Sequence, residues 1–296
     1  MLYLGEIAGL ATALCWSLTS IVFTGVSRRI GALQVNLYRL PLALILLAVT
    51  YFIFWGHLNI SVSPVLWLSA SGIVGLAIGD TFLFQALVQI GARLSMLLMS
   101  LAPPITAVLG YIFLNETIGI MGITGIFITV AGVSWVVAER TPDSSGRKTH
   151  ISVQGILWGI LAAIGQAVGL ILAKKGLIYD IHPMLATLIR MAGATVILWP
   201  LSILTGRLQN PFKVLPRDTH ATKLLLLGVI FGPYLGVTLS LVAVKYTHTG
   251  IAATLMSTMP VIMIPLLIFI EKEKPTWRAI LGAVVAVAGV GILFLR

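Results

Sequence analysis

A chain of 296 residues with 58% hydrophobic and only 9% charged residues cannot keep a polar surface around one or two cores, because soluble domains carry roughly 25% charged residues. The net charge of +10 comes from bases spread through short polar segments, without the basic stripe and interleaved aromatics that grip nucleic acid. Cys15 is the single cysteine, which excludes an intrachain disulfide, and the scattered histidines (His57, His150, His182, His220, His248) lack metal-ligand spacing.

Apolar runs of membrane-crossing length recur from one end to the other. The first, at 4–26, has no basic leader and no small-residue cleavage site, carries Glu6 at its start, and reads as a retained span. Turn and charge punctuation places the others at 33–55, 65–88, 95–114, 119–138, 153–173, 183–204, 224–244, 250–270 and 277–295. The expected fold class is an all-α membrane protein of ten transmembrane helices, each satisfying its own backbone hydrogen bonds in lipid. The longest connections, 139–152 and 205–223, are polar and carry turn signals.

The chain also matches itself. Leu98, Met99, Ser100 and Pro103 align with Leu255, Met256, Ser257 and Pro260, and Val130-Ala131-Gly132-Val133 with Val287-Ala288-Gly289-Val290. The same shift pairs Glu116 with Glu273, Gly75 with Gly232, Gly79 with Gly236 and Thr81 with Thr238. Roughly a quarter of the positions between Leu68 and Val133 are identical, where apolar-biased chance gives about a tenth. A small gap carries the pairing to Arg39 and Arg190. The expected organisation is a first five-helix repeat over 1–138, a linker over 139–152 and a second five-helix repeat over 153–296. Five is odd, so the second repeat runs through the membrane in the opposite sense. Inverted repeats of this kind place a substrate site between them near the midplane.

The arginine near the start of the second span of each half, the Ser-x-x-Pro helix followed by an acidic loop, and the Gly-rich closing span resemble the EamA-like branch of the drug/metabolite transporter superfamily. The likeness covers essentially the whole chain. It implies a basket of ten helices around a central cavity and transport of amino acids, nucleobases, related metabolites or toxic compounds, often outward.

Asp80 is the strongest site signal, since it lies about nine residues, or ~13 Å, inside the third span, and an ionisable group at that depth requires water or a partner. Arg39 lies about 9 Å into the second span from the same face, within reach of an ion pair. That pair is either a fixed helix clamp or a place where Asp80 takes a proton or a cationic substrate group. Asp80 corresponds to Val237 across the repeat, so the architecture does not demand an acid there, and Arg190 has no matching carboxylate.

Pro103 and Pro260 are expected to bend the fourth and ninth spans, freeing the Met99 and Met256 carbonyls beside Ser100 and Ser257. Trp16, Gln85, Gln166, Tyr234 and Thr238 add hydrogen bonding or stacking at mid-membrane depth. An interhelical hydrogen bond is the plain alternative for each. Together they make a mildly polar interior suited to a zwitterionic or amphipathic molecule.

An intramembrane aspartyl protease needs two embedded aspartates, whereas Asp143, Asp180 and Asp218 fall in loops; zinc-protease and ATP-binding motifs are missing too. The expectation is therefore no enzyme, no catalytic residue, no metal and no cofactor. The rival reading is a membrane scaffold or a carrier of lipid-linked cargo. Expected partners are a small-molecule substrate and the lipid bilayer, with a monomer or homodimer, in a prokaryotic inner membrane. Most bases lie in loops joining odd to even spans, which by the positive-inside rule places both termini outside the cytoplasm, opposite to the usual arrangement of ten-span relatives.

Overall fold

The computed structural model describes residues 3–56, 61–114, 119–138, 152–246, 252, 255–270, 272 and 275–293. Every regular element among them is a helix. Helices α1 (Leu4–Ile30) and α2 (Ala32–Phe54) are joined by Gly31 alone, at φ 96°. Helix α3 (Val62–Ser71) runs through a π-helical stretch (Gly72–Gly79) into α4 (Asp80–Met99), followed by α5 (Ala102–Leu114) and α6 (Ile120–Ala138). The second half contains α7 (Val153–Leu177), α8 (Pro183–Leu204) and the short α9 (Pro211–Val214). Then come α10 (Thr219–Val229), a second π-helical stretch (Ile230–Gly236), α11 (Val237–Tyr246), α12 (Met259–Ile270) and α13 (Trp277–Leu293).

Six helices among the described residues are long and apolar enough to cross a membrane, and four shorter apolar helices accompany them. The burial pattern suits lipid as the outer solvent. In α1 the small residues Gly5, Ala8, Gly9, Thr12 and Ala13 face inward, while Ile7, Leu10 and Leu14 are exposed. Small residues let helix backbones approach closely where lipid tails are as apolar as leucine. The hydroxyls of Thr12, Ser17 and Thr24 bond back to the carbonyls of Ala8, Ala13 and Ser20, so polar side chains are satisfied inside the bundle.

The last helix of each half, α6 and α13, packs against the other through glycine. A Cβ on Gly132 would come within 2.6 Å of the Ala286 nitrogen, and one on Gly289 would overlap Thr129. These glycines join the two halves within one chain.

Several expected boundaries change, each for a local reason. The connection between the third and fourth spans contracts to a kink at Gly91, whose φ of 76° favours a residue without Cβ. Pro103 and Pro260 do not bend continuous helices. The helices break at Ser100–Leu101 and Ser257–Thr258, where tight bonds run from Ser100 N to Leu97 O (3.1 Å) and from Thr258 N to Leu255 O (3.2 Å). Each proline is then the second residue of a new helix, where no backbone N–H donor is needed. Pro41, Pro200 and Pro265 do sit inside helices. Glu116, Glu273 and the connection up to Ile151 lie outside the described residues.

The eighth span starts at Thr219 rather than at 224, because Asp218 caps it: Oδ1 accepts from Ala221 N at 2.9 Å while Oδ2 pairs with Arg29 at 3.0 Å. A hydropathy reading misses a polar first turn. The Ala221 N–H and the Arg29 guanidinium hold the Asp218 carboxyl below the usual carboxylate range. Its contribution to stability is therefore complete above about pH 4, the ordinary aspartate value, and disappears as pH falls through the lower folded-state value. Asp218→Ala is expected to melt below wild type at pH 7, with the gap shrinking as the pH falls below the ordinary aspartate value of about 4. A pH-independent gap in thermal melts contradicts this assignment.

Candidate membrane-embedded binding site

The π-helical stretch Gly72–Gly79 sets the geometry of the interior. Its glycines press on neighbouring backbones: a Cβ on Gly165 would lie 2.8 Å from the Gly79 Cα, and one on Gly169 would lie 3.0 Å from the Gly75 Cα. On its other side a Cβ on Gly72 would overlap the Arg190 carbonyl. π-Helical winding widens the turn and displaces carbonyls from their usual partners. Asn36, fully buried on α2, meets two of them, with Nδ2 3.1 Å from both Leu76 O and Ala77 O and 2.8 Å from Thr81 Oγ1.

Asn36 also reaches forward one turn, where its Oδ1 accepts from Arg39 Nε at 3.0 Å. The Arg39 guanidinium donates through Nη2 to Asp80 Oδ2, and both side chains are almost wholly buried. The other Asp80 oxygen accepts from Gln166 Nε2 at 2.6 Å. Arg39 lies over the Phe84 ring, 4.9 Å from its centroid, and Phe84 meets Phe23 edge to face at 5.3 Å. Three helices, α2, α4 and α7, thus converge on one charged network. Replacing Asn36 with leucine strands the Arg39 Nε, at a cost of roughly 1–3 kcal/mol. Equilibrium unfolding in mixed micelles measures it, and an unchanged stability shows that Asn36 contributes nothing to the network.

Beside the network lies a cavity of about 140 Å³. An engineered cavity of similar size, ~150 Å³, admits benzene, so the space suits a small organic molecule. Asp80, Arg39, Gln166 and Arg190 line it, as do Trp16, Met99, Met256, Ser257 and Pro103. The structure therefore brings nine of the fourteen sequence candidates together. The helix breaks open onto it, since Met99, Ala102 and Pro103 line one side and Met256, Ser257 and Met259 another.

Five candidates lie elsewhere. Ser100 turns its hydroxyl to the Leu97 carbonyl. Tyr234 bonds Thr50 Oγ1 at 2.9 Å, and Thr238 bonds the Tyr234 carbonyl. Gln85 and Pro260 are absent from the lining. Helix arithmetic explains Gln85: Asp80, Leu83, Phe84 and Leu87 share one lining face, and a residue five positions after Asp80 points away from it. The sequence reading missed Thr19, Ser20, Phe23, Phe84 and Ser240, which line the cavity, and Asn36 behind it. Asn36, three residues before Arg39 within an apolar run, was the available signal.

Positions related by the internal repeat meet in this cavity. Arg39 and Arg190 both line it, as do Met99 and Met256, and Asp80 and Val237. Aligning α1 with α7 through Gly5 and Gly155, Gly9 and Gly159, and Ala13 and Ala163 pairs Trp16 with Gln166, which line it too.

Comparison with known proteins agrees with this architecture. A family model described as the EamA-like transporter family matches residues 3–138 and again 153–295. A curated relative, the uncharacterized transporter YxxF of Bacillus subtilis (strain 168), is 25% identical over 119 residues, which is 40% of this chain and 37% of the relative. The chain thus matches little more than a third of that relative's length. A solved crystal structure of a protein aligns with 98% of this chain and 96% of its own at a TM-score of 0.67 and 17% identity, a likeness of fold alone.

Proposed function

The chain belongs to the EamA-like transporter family, and from that premise we propose that it is a secondary transporter moving a small metabolite through the cavity beside Asp80. It is an integral, multi-pass membrane protein. The proposed arrangement is ten spans in two inverted five-helix repeats that rock about the cavity and expose it to each side in turn. The supporting observation is that repeat-related residues, Arg39 with Arg190 and Trp16 with Gln166, line one membrane-embedded cavity. The half-helix starts at Ala102 and Met259, both at the cavity wall, match the broken helices that line transporter sites.

Asp80 is the proposed coupling residue. Its carboxylate holds Arg39 from the first half and Gln166 from the second, so protonation removes the counter-charge of Arg39 and turns one acceptor oxygen into a donor, which weakens the tie between the two halves. The cargo class is an amino acid, nucleobase or related amphipathic compound, and the outward direction and prokaryotic inner membrane follow the family resemblance. Uptake of a pooled set of amino acids, nucleobases and cationic dyes into proteoliposomes tests the reading. Protein-dependent flux of a water-soluble cargo is expected; a lack of flux for the whole set favours a scaffold or a carrier of lipid-linked cargo.

A further inference from the structure

The two repeat-related arginines are served unequally. Arg39 has Asn36 on its Nε, Asp80 on its Nη2 and Phe84 against its face. The corresponding positions around Arg190 are Thr187, Val237 and Leu241. Thr187 turns its hydroxyl to the Pro183 carbonyl at 2.9 Å, and valine and leucine have nothing to accept a hydrogen bond. Arg190 is 5% exposed, its Nε has no hydrogen-bond partner among the described residues, and it lines the cavity. Asp80 makes its contacts elsewhere, one oxygen accepting from Arg39 and the other from Gln166, and no hydrogen bond or ion pair joins it to Arg190 among the described residues. The lining therefore holds two guanidinium groups and one carboxylate, an excess of one positive charge.

We propose that Arg190 is the anchor for an anionic group of the cargo, and that the cargo is a small organic carboxylate with an apolar body. An unpaired buried guanidinium is costly, and a carboxylate matches its planar donor fork while neutralising the excess charge. The apolar body follows from the rest of the wall, where Trp16, Met99, Met256 and Met259 offer adaptable, polarisable surface. Arg190 is also held rigidly enough to serve. Its backbone rests on Gly72, where a Cβ would overlap the Arg190 carbonyl, and its Nη2 passes beside Gly75. The proposal rests on the transporter reading and narrows its substrate class.

The test is binding to the purified full chain in lipid nanodiscs, using 3-phenylpropanoate, its uncharged amide and inorganic phosphate as probes. For wild type, the carboxylate is expected to bind roughly tenfold to a hundredfold more tightly than the amide. Arg190→Gln is expected to close that gap and Arg190→Lys to retain part of it, with the ligand-free melting temperature reporting that each variant is folded. The wild-type comparison stands even where a variant fails to fold. Equal affinity for carboxylate and amide, or no binding of either, overturns the proposal; phosphate binding as tightly as the carboxylate overturns the organic-carboxylate class. Flux of pooled cargo without carboxylate preference removes this inference and leaves the transporter reading intact. Carboxylate binding through Arg190 without flux of any cargo removes the transporter reading instead.

Discussion

Asp80→Ala is expected to destabilise the protein by roughly 3–5 kcal/mol, because it leaves the Arg39 guanidinium buried without its counter-charge. Arg39 is 4% exposed, so little solvent is available to replace the lost carboxylate. The Gln166 amide loses its Asp80 acceptor in the same step and retains only the Gly75 carbonyl at 3.4 Å. The double variant Arg39→Met/Asp80→Leu removes both charges and fills the space with apolar groups of similar bulk, so it recovers most of the stability. Transport is expected to stay lost in the double variant. Unfolding in mixed micelles measures the first effect and proteoliposome flux the second. A double variant as unstable as Asp80→Ala contradicts the ion-pair account, and one that still transports reduces the pair to a helix clamp.

Gly72→Ala is expected to be the most damaging glycine substitution in the described interior, although alanine is the better helix former by about 1 kcal/mol. The added methyl would overlap both the carbon and the oxygen of the Arg190 carbonyl, rigid backbone that cannot rotate aside. Helix α8 must shift away, at a cost of 1–3 kcal/mol or somewhat more for overpacking, which exceeds the propensity gain. The shift also carries the Arg190 guanidinium off the cavity. Gly25→Ala in α1 is the matched control. Nothing lies within 4 Å of a Cβ there, so the propensity term acts alone and the variant is expected to be neutral or up to about 1 kcal/mol more stable. Equal melting temperatures for the two variants refute the close-packing account.

Much of this was legible in the sequence because lipid imposes strong rules. Apolar runs bounded by polar turns placed α1, α2, α7 and α8 within a few residues, and the pairing of Arg39 with Arg190 pointed to two positions that do line one cavity. Depth in the membrane, however, says nothing about direction around a helix. Gln85 lies within the same apolar span as Asp80 yet is absent from the cavity lining, which a face drawn from Asp80 through Leu83, Phe84 and Leu87 makes plain.

The π-helical stretches were hidden for a different reason. Gly75 and Gly79 stand out in the sequence only as partners of Gly232 and Gly236 across the repeat, whereas in the fold the first stretch lies against Gly165 and Gly169 of α7, a contact between distant parts of the chain. The role of Asn36 is not legible locally because its partners, the Leu76 and Ala77 carbonyls, lie 40 and 41 residues further along the chain. The prolines were recognised, but their effect was misjudged: Pro103 and Pro260 start new helices at breaks that already open to the cavity, rather than bending intact ones.

The most direct measurement of the central claim is cargo flux into proteoliposomes with and without an imposed pH gradient, for wild type and Asp80→Asn, with the folded fraction of each measured alongside. Asparagine keeps the size and one acceptor of the aspartate while removing its charge and its exchangeable acid proton. The account predicts gradient-dependent flux in wild type and its loss in folded Asp80→Asn. Equal, gradient-dependent flux in both proteins contradicts it, since the coupling chemistry then resides somewhere other than Asp80.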